Sequence, residues 1–230
     1  MNMRGNKLFK NSGLTLVILG PAGSGKGTQS ALLARRFNLK IIEMGAELRA
    51  LALKNTPLGR KIDYLINKKG QLVSNKIIKE VLRQCLKKSS REQNIIFDGV
   101  PRTIGQAKIF SSEIKKAGRS VDYLIYLDLK KEETIKRLNK RRMCASCKTI
   151  YINGVDIKKD AKVCPKCKGN IIKRQDDKPE AIRKRICLFK KETKPVIDYY
   201  KKNKEVKFIK VNASQPINKV YQDIVSNLEI

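Results

Sequence analysis

The sequence predicts an α/β fold: a parallel sheet with helices on both faces, interrupted by one polar insertion. Three observations predict it. Short apolar runs alternate with longer segments of helical periodicity, the pattern of a sheet buried on both sides. The first such run passes through a glycine-rich loop directly into a helix. Between Met143 and Asp177 the periodicity stops, and a polar stretch with paired cysteines takes its place.

The elements follow in order. Residues 14–19 form the first strand, and 25–37 a helix that buries Leu32, Leu33 and Phe37. Residues 40–42 are strand-like. The spacing of apolar residues predicts helices over 46–53, 58–69 and 74–88, with Ser74 as an N-cap. Residues 94–97 are a short buried strand ending in Asp98. A helix over 103–117 turns on Ile104, Ala107, Phe110 and Ile114; a strand at 122–129 and a helix at 131–141 come next. After the insertion, helical pattern resumes over 179–203 through Ile182, Ile186, Phe189 and Ile197. A last strand at 206–211 and a last helix at 216–228 close the chain. There is no internal repeat, and 230 residues suit one core over 14–230 with insertions. Residues 1–13 are expected to be a short disordered extension, basic but without the apolar segment of a secretory signal.

Composition narrows the function. The formal charge is +31, from 52 Lys and Arg against 21 Asp and Glu. Such a balance favours anionic partners, although lysines spread over every solvated face are the plainer account of it. No stretch reaches the ~20 apolar residues of a membrane span. Six cysteines, four paired at metal-like spacing, point to a reducing cytoplasm. Histidine is absent, which excludes any mechanism with a histidine base.

The loop Gly20-Pro21-Ala22-Gly23-Ser24-Gly25-Lys26-Gly27-Thr28 joins the first strand to the first helix. In that context backbone N–H groups converge on phosphate, the helix N-terminus adds partial positive charge, and Lys26 adds a full one. This is a P-loop with one departure: Gly27 stands between the lysine and the hydroxyl of Thr28. Asp98 ends an apolar strand, the position of a carboxylate that holds Mg²⁺; a turn residue is the plainer reading. Arg102 follows just past that strand's carboxyl end, where open α/β sheets bind ligands. Arginine forks match phosphate oxygens. The clustering of Arg141, Arg174 and Arg185 around the insertion suits a lid that closes over phosphates.

Inside the insertion, Cys144-x-x-Cys147 and Cys164-x-x-Cys167 are separated by sixteen residues. Two such knuckles place four thiolates around one Zn²⁺, a closed and therefore structural site in a small β-rich module. Cys85 and Cys187 lie on helical patterns as ordinary semi-buried residues. A zinc ribbon flanked by Arg141, Arg142, Lys148, Lys166 and Lys168 also suits nucleic acid, although Tyr151 is the insert's one aromatic for base stacking.

From about residue 14 to the C-terminus the chain resembles an adenylate kinase of the zinc-bearing, long-lid type. The resemblance rests on the loop at 20–28, on Asp98-Gly-Val-Pro-Arg-Thr103 with Gln106, on Lys140-Arg-Arg-Met-Cys144, and on Arg174-Gln-Asp-Asp177 followed by Arg185. It implies a P-loop three-layer fold with an AMP-binding helical segment at 43–73 and a zinc lid at 140–177. It also implies reversible transfer of the terminal phosphoryl of MgATP to AMP by a cytoplasmic monomer, with no specific nucleic-acid or membrane partner. By the same resemblance, Gly23, Ser24, Gly25, Lys26, Gly27 and Thr28 would hold the ATP phosphates and Asp98 would position Mg²⁺ through water. Arg49 and Arg102 would grip the AMP phosphate, and Gln106 would read its adenine. Met44, Gln71, Leu72, Val73, Gly99, Val100 and Pro101 would complete the AMP side. Arg137 would lie against the ATP adenine, with Ile150, Tyr151 and Gln215 at its base and ribose. Arg141, Arg174 and Arg185 would surround the transferring group.

The chain departs from the family at Met44-Gly45-Ala46, where a hydroxyl residue, glycine and aspartate are usual, and at Asn75, where aspartate is common. These departures leave a UMP or CMP kinase as the alternative enzyme. A P-loop protein that binds nucleic acid through its zinc lid is the alternative outside enzymes.

Overall fold

A computed structural model describes residues 12–230. The expected extension at 1–13 therefore lies, up to residue 11, outside the described residues. Gly13 is already tied in, its N–H donating to the Arg91 carbonyl at 2.9 Å.

Five strands make the main sheet: β1 (Thr15–Leu19), β2 (Lys40–Glu43), β3 (Ile95–Asp98), β4 (Tyr123–Asp128) and β8 (Lys207–Asn212). They run in the order β2-β3-β1-β4-β8, and every pair is parallel. Side chains alternate between two apolar cores, as a period of two requires. Val17, Leu19, Ile95, Phe97, Leu124 and Tyr126 join one; Leu16, Ile18, Ile96, Ile125 and Leu127 join the other.

On the first face lie α2 (Met44–Ala52), α3 (Pro57–Asp63), α4 (Asn75–Lys87), α5 (Ile104–Lys116) and α8 (Lys194–Lys202). The second carries α1 (Lys26–Phe37) and α9 (Ile217–Ser226). Within α1, Leu33 is fully buried, while Leu32 and Phe37 are only half-buried at the helix edge. Thr103 caps α5, its Oγ1 accepting the Gln106 N–H at 3.1 Å. Ser74 does stand at the N-cap of α4, but its side chain makes no capping bond.

Two expected helices contain a wider turn. The segment 58–69 divides into α3 and a π-type turn, Tyr64–Lys68. The segment 179–203 divides into α7 (Pro179–Leu188), a second π-type turn (Phe189–Thr193) and α8. Pro195 explains the second: it lacks an N–H, so the ordinary ladder is broken there.

The insertion folds as its own layer. After α6 (Lys131–Lys140), β5 (Arg141–Cys144), β6 (Ile150–Ile152) and β7 (Ile171–Ile172) form a small antiparallel sheet in the order β6-β5-β7. A short 3₁₀ turn, Gln175–Asp177, leads back into α7. No helix among the described residues is long and apolar enough to cross a membrane.

Candidate active site

The strand order changes direction at β1: β3 and β2 lie on one side of it, β4 and β8 on the other. Ligands of open parallel sheets bind in the crevice beyond the strands' carboxyl ends at such a point. A cleft of about 410 Å³ opens there.

Its floor is the loop after β1. Gly25, the N-cap of α1, has φ 88°, a left-handed value that favours glycine. With no side-chain cap and no acidic residue in its first turn, α1 leaves its first N–H groups free for an anion. The Lys26 ammonium folds back on the Gly20 and Pro21 carbonyls, 2.9 Å from each. Loss of solvent lowers its pKa to about 8; Asp98 opposes this, and Arg102, Arg185 and Arg141 add to it. The Ser24 hydroxyl is buried without a hydrogen-bond partner.

Asp98 lies beside Ile18 in the register of β1 and β3. Burial raises its carboxyl to about 6, Lys26 opposes this and Glu43 adds to it. A Cβ on Gly27 would stand 3.9 Å from Asp98 Oδ2, so the carboxylate faces the loop. Just beyond, the Arg102 Nε donates to the Gly99 carbonyl at 2.8 Å, and burial lowers the pKa of that guanidinium. The Arg102 backbone N–H donates to Gln106 Oε1 at 2.8 Å. Arg49 pairs with Glu43 at 2.8 Å on a half-exposed rim.

Opposite stand the arginines from the insertion and α7. Arg141 forks onto buried Asp177 at 2.7 and 2.6 Å, and Arg174 forks onto Asp176 at 2.8 and 2.7 Å. Arg185 reaches both carboxylates, at 3.3 Å to Asp176 and 3.1 Å to Asp177. Burial pushes the Arg185 pKa down to about 10 against the pull of Asp176. Burial would raise Asp176, but Arg185 and Arg174 outweigh it and hold the carboxyl below its usual value. The two aspartates keep three guanidiniums aimed together, a role not read from the sequence.

Of the residues singled out from the sequence, Lys26, Met44, Arg49, Gln71, Leu72, Val73, Gly99, Arg102, Gln106, Arg174 and Arg185 line the cleft. Val100 and Pro101 are buried beneath it. Met44 is 2 % exposed and belongs to the apolar core. Arg137 approaches the loop, its Nη1 3.5 Å from the Gly23 carbonyl. Gln215 is committed to Asp223, to which it donates at 2.8 Å. Ile150 is exposed on β6. The Tyr151 ring is buried in the insertion, with its hydroxyl 3.1 Å from Cys164 Sγ. Sequence reasoning also missed Asn67 and Lys68 of the first wide turn, and Phe189 and Thr193 of the second, all of which line the cleft.

The insertion brings Cys144, Cys147, Cys164 and Cys167 together, their sulfurs all within 4.8 Å of one another. Sγ separations of 3.4 Å (Cys144 to Cys167) and 3.7 Å (Cys147 to Cys164) approach the ~3.8 Å edge of a tetrahedron built on 2.3 Å zinc–sulfur bonds. The four residues could hold Zn²⁺. Cys85 is buried and Cys187 exposed, both away from the cluster.

A family profile described as adenylate kinase matches residues 18–205. The chain is similar to the adenylate kinase of Thermosipho africanus, 34 % identical over 214 residues that cover 93 % of this chain and 98 % of the relative. It is also similar to that of Kosmotoga olearia, at 35 % over 217 residues (94 % and 99 %). The adenylate kinase of Archaeoglobus fulgidus matches at 33 % over 216 residues (94 % and 98 %).

Proposed function

Because the chain belongs to the adenylate kinase family, we propose that it moves the terminal phosphoryl of MgATP reversibly to AMP, giving two ADP. One observation carries the reading: a single cleft joins an uncapped phosphate loop to two further groups of arginines. A donor and an acceptor, both phosphorylated, fit such a site.

In this reading the N–H groups of the loop take the donor phosphates, and the unpartnered Ser24 hydroxyl gains an acceptor. Lys26 leaves the Gly20 and Pro21 carbonyls for the phosphates. Arg137 lies against the donor base, with the Ile150-Tyr151 strand and Gln215 at the margin. Arg49 and Arg102 hold the acceptor phosphate, and Gln106 reads its base against the apolar wall of Met44 and Val73. Asp98, whose carboxylate faces the loop, would position Mg²⁺ through water, and the ion would neutralise phosphate charge. Arg141, Arg174 and Arg185 surround the transferring group once the lid at 140–177 and the segment at 43–73 have closed.

The nucleophile is a phosphate oxygen that is already anionic, so no general base is needed. A chain without histidine can do this chemistry. Catalysis is positioning plus neutralisation of the phosphoryl oxygens, and closure keeps water from intercepting the group. Zn²⁺ on the four cysteines would hold the lid's fold. The reaction belongs in the cytoplasm, where thiols stay reduced, and one chain supplies both halves of the cleft, so a monomer suffices.

A coupled assay at fixed MgATP with AMP, UMP and CMP as acceptors tests the reading. AMP should give the highest kcat/KM. A preference for UMP or CMP would overturn the acceptor, and absence of transfer to all three would overturn the reaction.

A further inference from the structure

Thr193 is buried at the end of the second wide turn and lines the cleft. In an ordinary helix a threonine hydroxyl bonds back to the carbonyl four residues earlier. Here its Oγ1 instead donates to the Arg102 carbonyl at 3.1 Å, across 91 residues of chain. Arg102 is thus held at both backbone ends, since its own N–H donates to Gln106 Oε1 at 2.8 Å.

That second bond also orients the amide. A backbone N–H can only donate, so Gln106 must turn its oxygen toward Arg102. Its Nε2 is then the donor it can offer to the cleft. Gln106 is 2 % exposed, and its backbone N–H is fixed by Thr103 Oγ1 at 3.1 Å. The guanidinium is anchored in turn, the Arg102 Nε donating to the Gly99 carbonyl at 2.8 Å.

We propose that Thr193 is a positioning residue for the acceptor: through the Arg102 backbone it sets both the guanidinium for the acceptor phosphate and the Gln106 amide for the acceptor base. The proposal rests on the reading of Arg102 and Gln106 as acceptor-binding residues. It adds a link from the α7–α8 junction, next to the helix that carries Arg185, to the selectivity of the opposite half of the cleft. A Gln106 amide fixed with Nε2 outward favours a base with an unprotonated ring nitrogen, as in adenine, over one with an N–H there, as in hypoxanthine.

Thr193→Val keeps the shape and removes the hydroxyl, whereas Thr193→Ser keeps the hydroxyl. AMP affinity is measured by titration calorimetry without ATP, and KM for AMP and for ATP by coupled assay, with IMP as the competing acceptor. Valine should weaken AMP by about three- to tenfold, the loss of one neutral hydrogen bond. It should also lower the preference for AMP over IMP, leave the KM for ATP nearly unchanged, and be reversed by serine. Melting temperatures of both variants set an assay temperature at which each is folded. The proposal is overturned if valine leaves acceptor affinity unchanged, weakens ATP as much as AMP, or is not reversed by serine. If the wild-type protein prefers UMP or CMP, the AMP reading fails. The ratio of variant to wild type, measured on that preferred acceptor, still decides the role of Thr193.

Discussion

Asp177→Asn removes one charge and keeps the side chain's shape, so its cost isolates what the carboxylate does for the arginines. Asp177 is fully buried and accepts Arg141 at 2.7 and 2.6 Å and Arg185 at 3.1 Å. Without its charge, guanidiniums only 13 % and 29 % exposed face each other with half their counter-charge gone. Removing one partner of a buried pair costs about 3–5 kcal/mol. The partial exposure of Arg185 favours the lower end, about 3 kcal/mol. For a domain of this size each kcal/mol is worth about 2–4 °C, so the free protein should melt about 6–12 °C lower. Bound phosphates would return the missing negative charge, so saturating MgADP should raise the melting temperature of the variant by more than that of the wild type. Scanning calorimetry with and without MgADP measures both. A loss under about 1 kcal/mol, or equal MgADP increments in the two proteins, would refute the assignment of Asp177 as the counter-charge of these arginines.

Other consequences follow from the same geometry. Lys26→Ala or Arg102→Ala should each lower turnover by roughly a thousandfold in a coupled ATP/AMP assay, the scale of losing one charge-stabilising group; near-wild-type rates would remove either from the reaction. Metal removal by a chelator, with loss confirmed by elemental analysis, should lower the melting temperature, because a closed four-thiolate site contributes folding free energy. Asp98 rises from 3.8 to about 6 on folding, so it contributes stability below 3.8 that is lost as pH rises through about 6. Lys26 falls from 10.5 to about 8, so the unfolded chain binds the extra proton and stability rises with pH between those values. Asp98→Asn should abolish the first change in a pH series of melting temperatures and, because the Asp98 charge supports the Lys26 ammonium, extend the second toward lower pH.

The sequence made the scaffold legible because its signals are local. Alternating apolar runs gave the parallel sheet, and the step from strand through Gly23 and Gly25 into a helix gave the phosphate loop. The cysteine spacing gave a cluster that the backbone does assemble. What escaped depends on distant partners or on subtle periodicity. An α-turn and a π-turn differ by one residue per hydrogen bond, so residues 64–68 and 189–193 read as plain helix. The roles of Asp176 and Asp177 depend on guanidiniums from Arg141 and Arg185, as far as 36 residues away. The burial of the Tyr151 ring was recoverable: the residue stands between Ile150 and Ile152 on a strand, and the period of two turns it inward if Ile150 faces out.

The cleft gathers more positive charge than the protein answers. Lys26 falls to about 8 and Arg185 to about 10, and burial lowers Arg102 as well. Burial is the first cause of each of these shifts, and the negative charge of a polyphosphate ligand would oppose them. The two apolar cores on either side of the sheet allow the fold to carry that cost at one edge. Asp176 and Asp177 then have two effects. They limit the repulsion, and they hold the guanidiniums convergent before any ligand arrives, which is what preorganised charge stabilisation requires. The acceptor base meets a different environment. Met44 is buried among apolar neighbours and offers shape without a hydrogen bond. In the proposed reading, with no hydroxyl at that position, discrimination among bases would fall to Gln106, whose amide accepts from the Arg102 N–H while Thr193 donates to the Arg102 carbonyl. On that reading the apolar Met44 would make selectivity depend more heavily on the rigidity of this one amide.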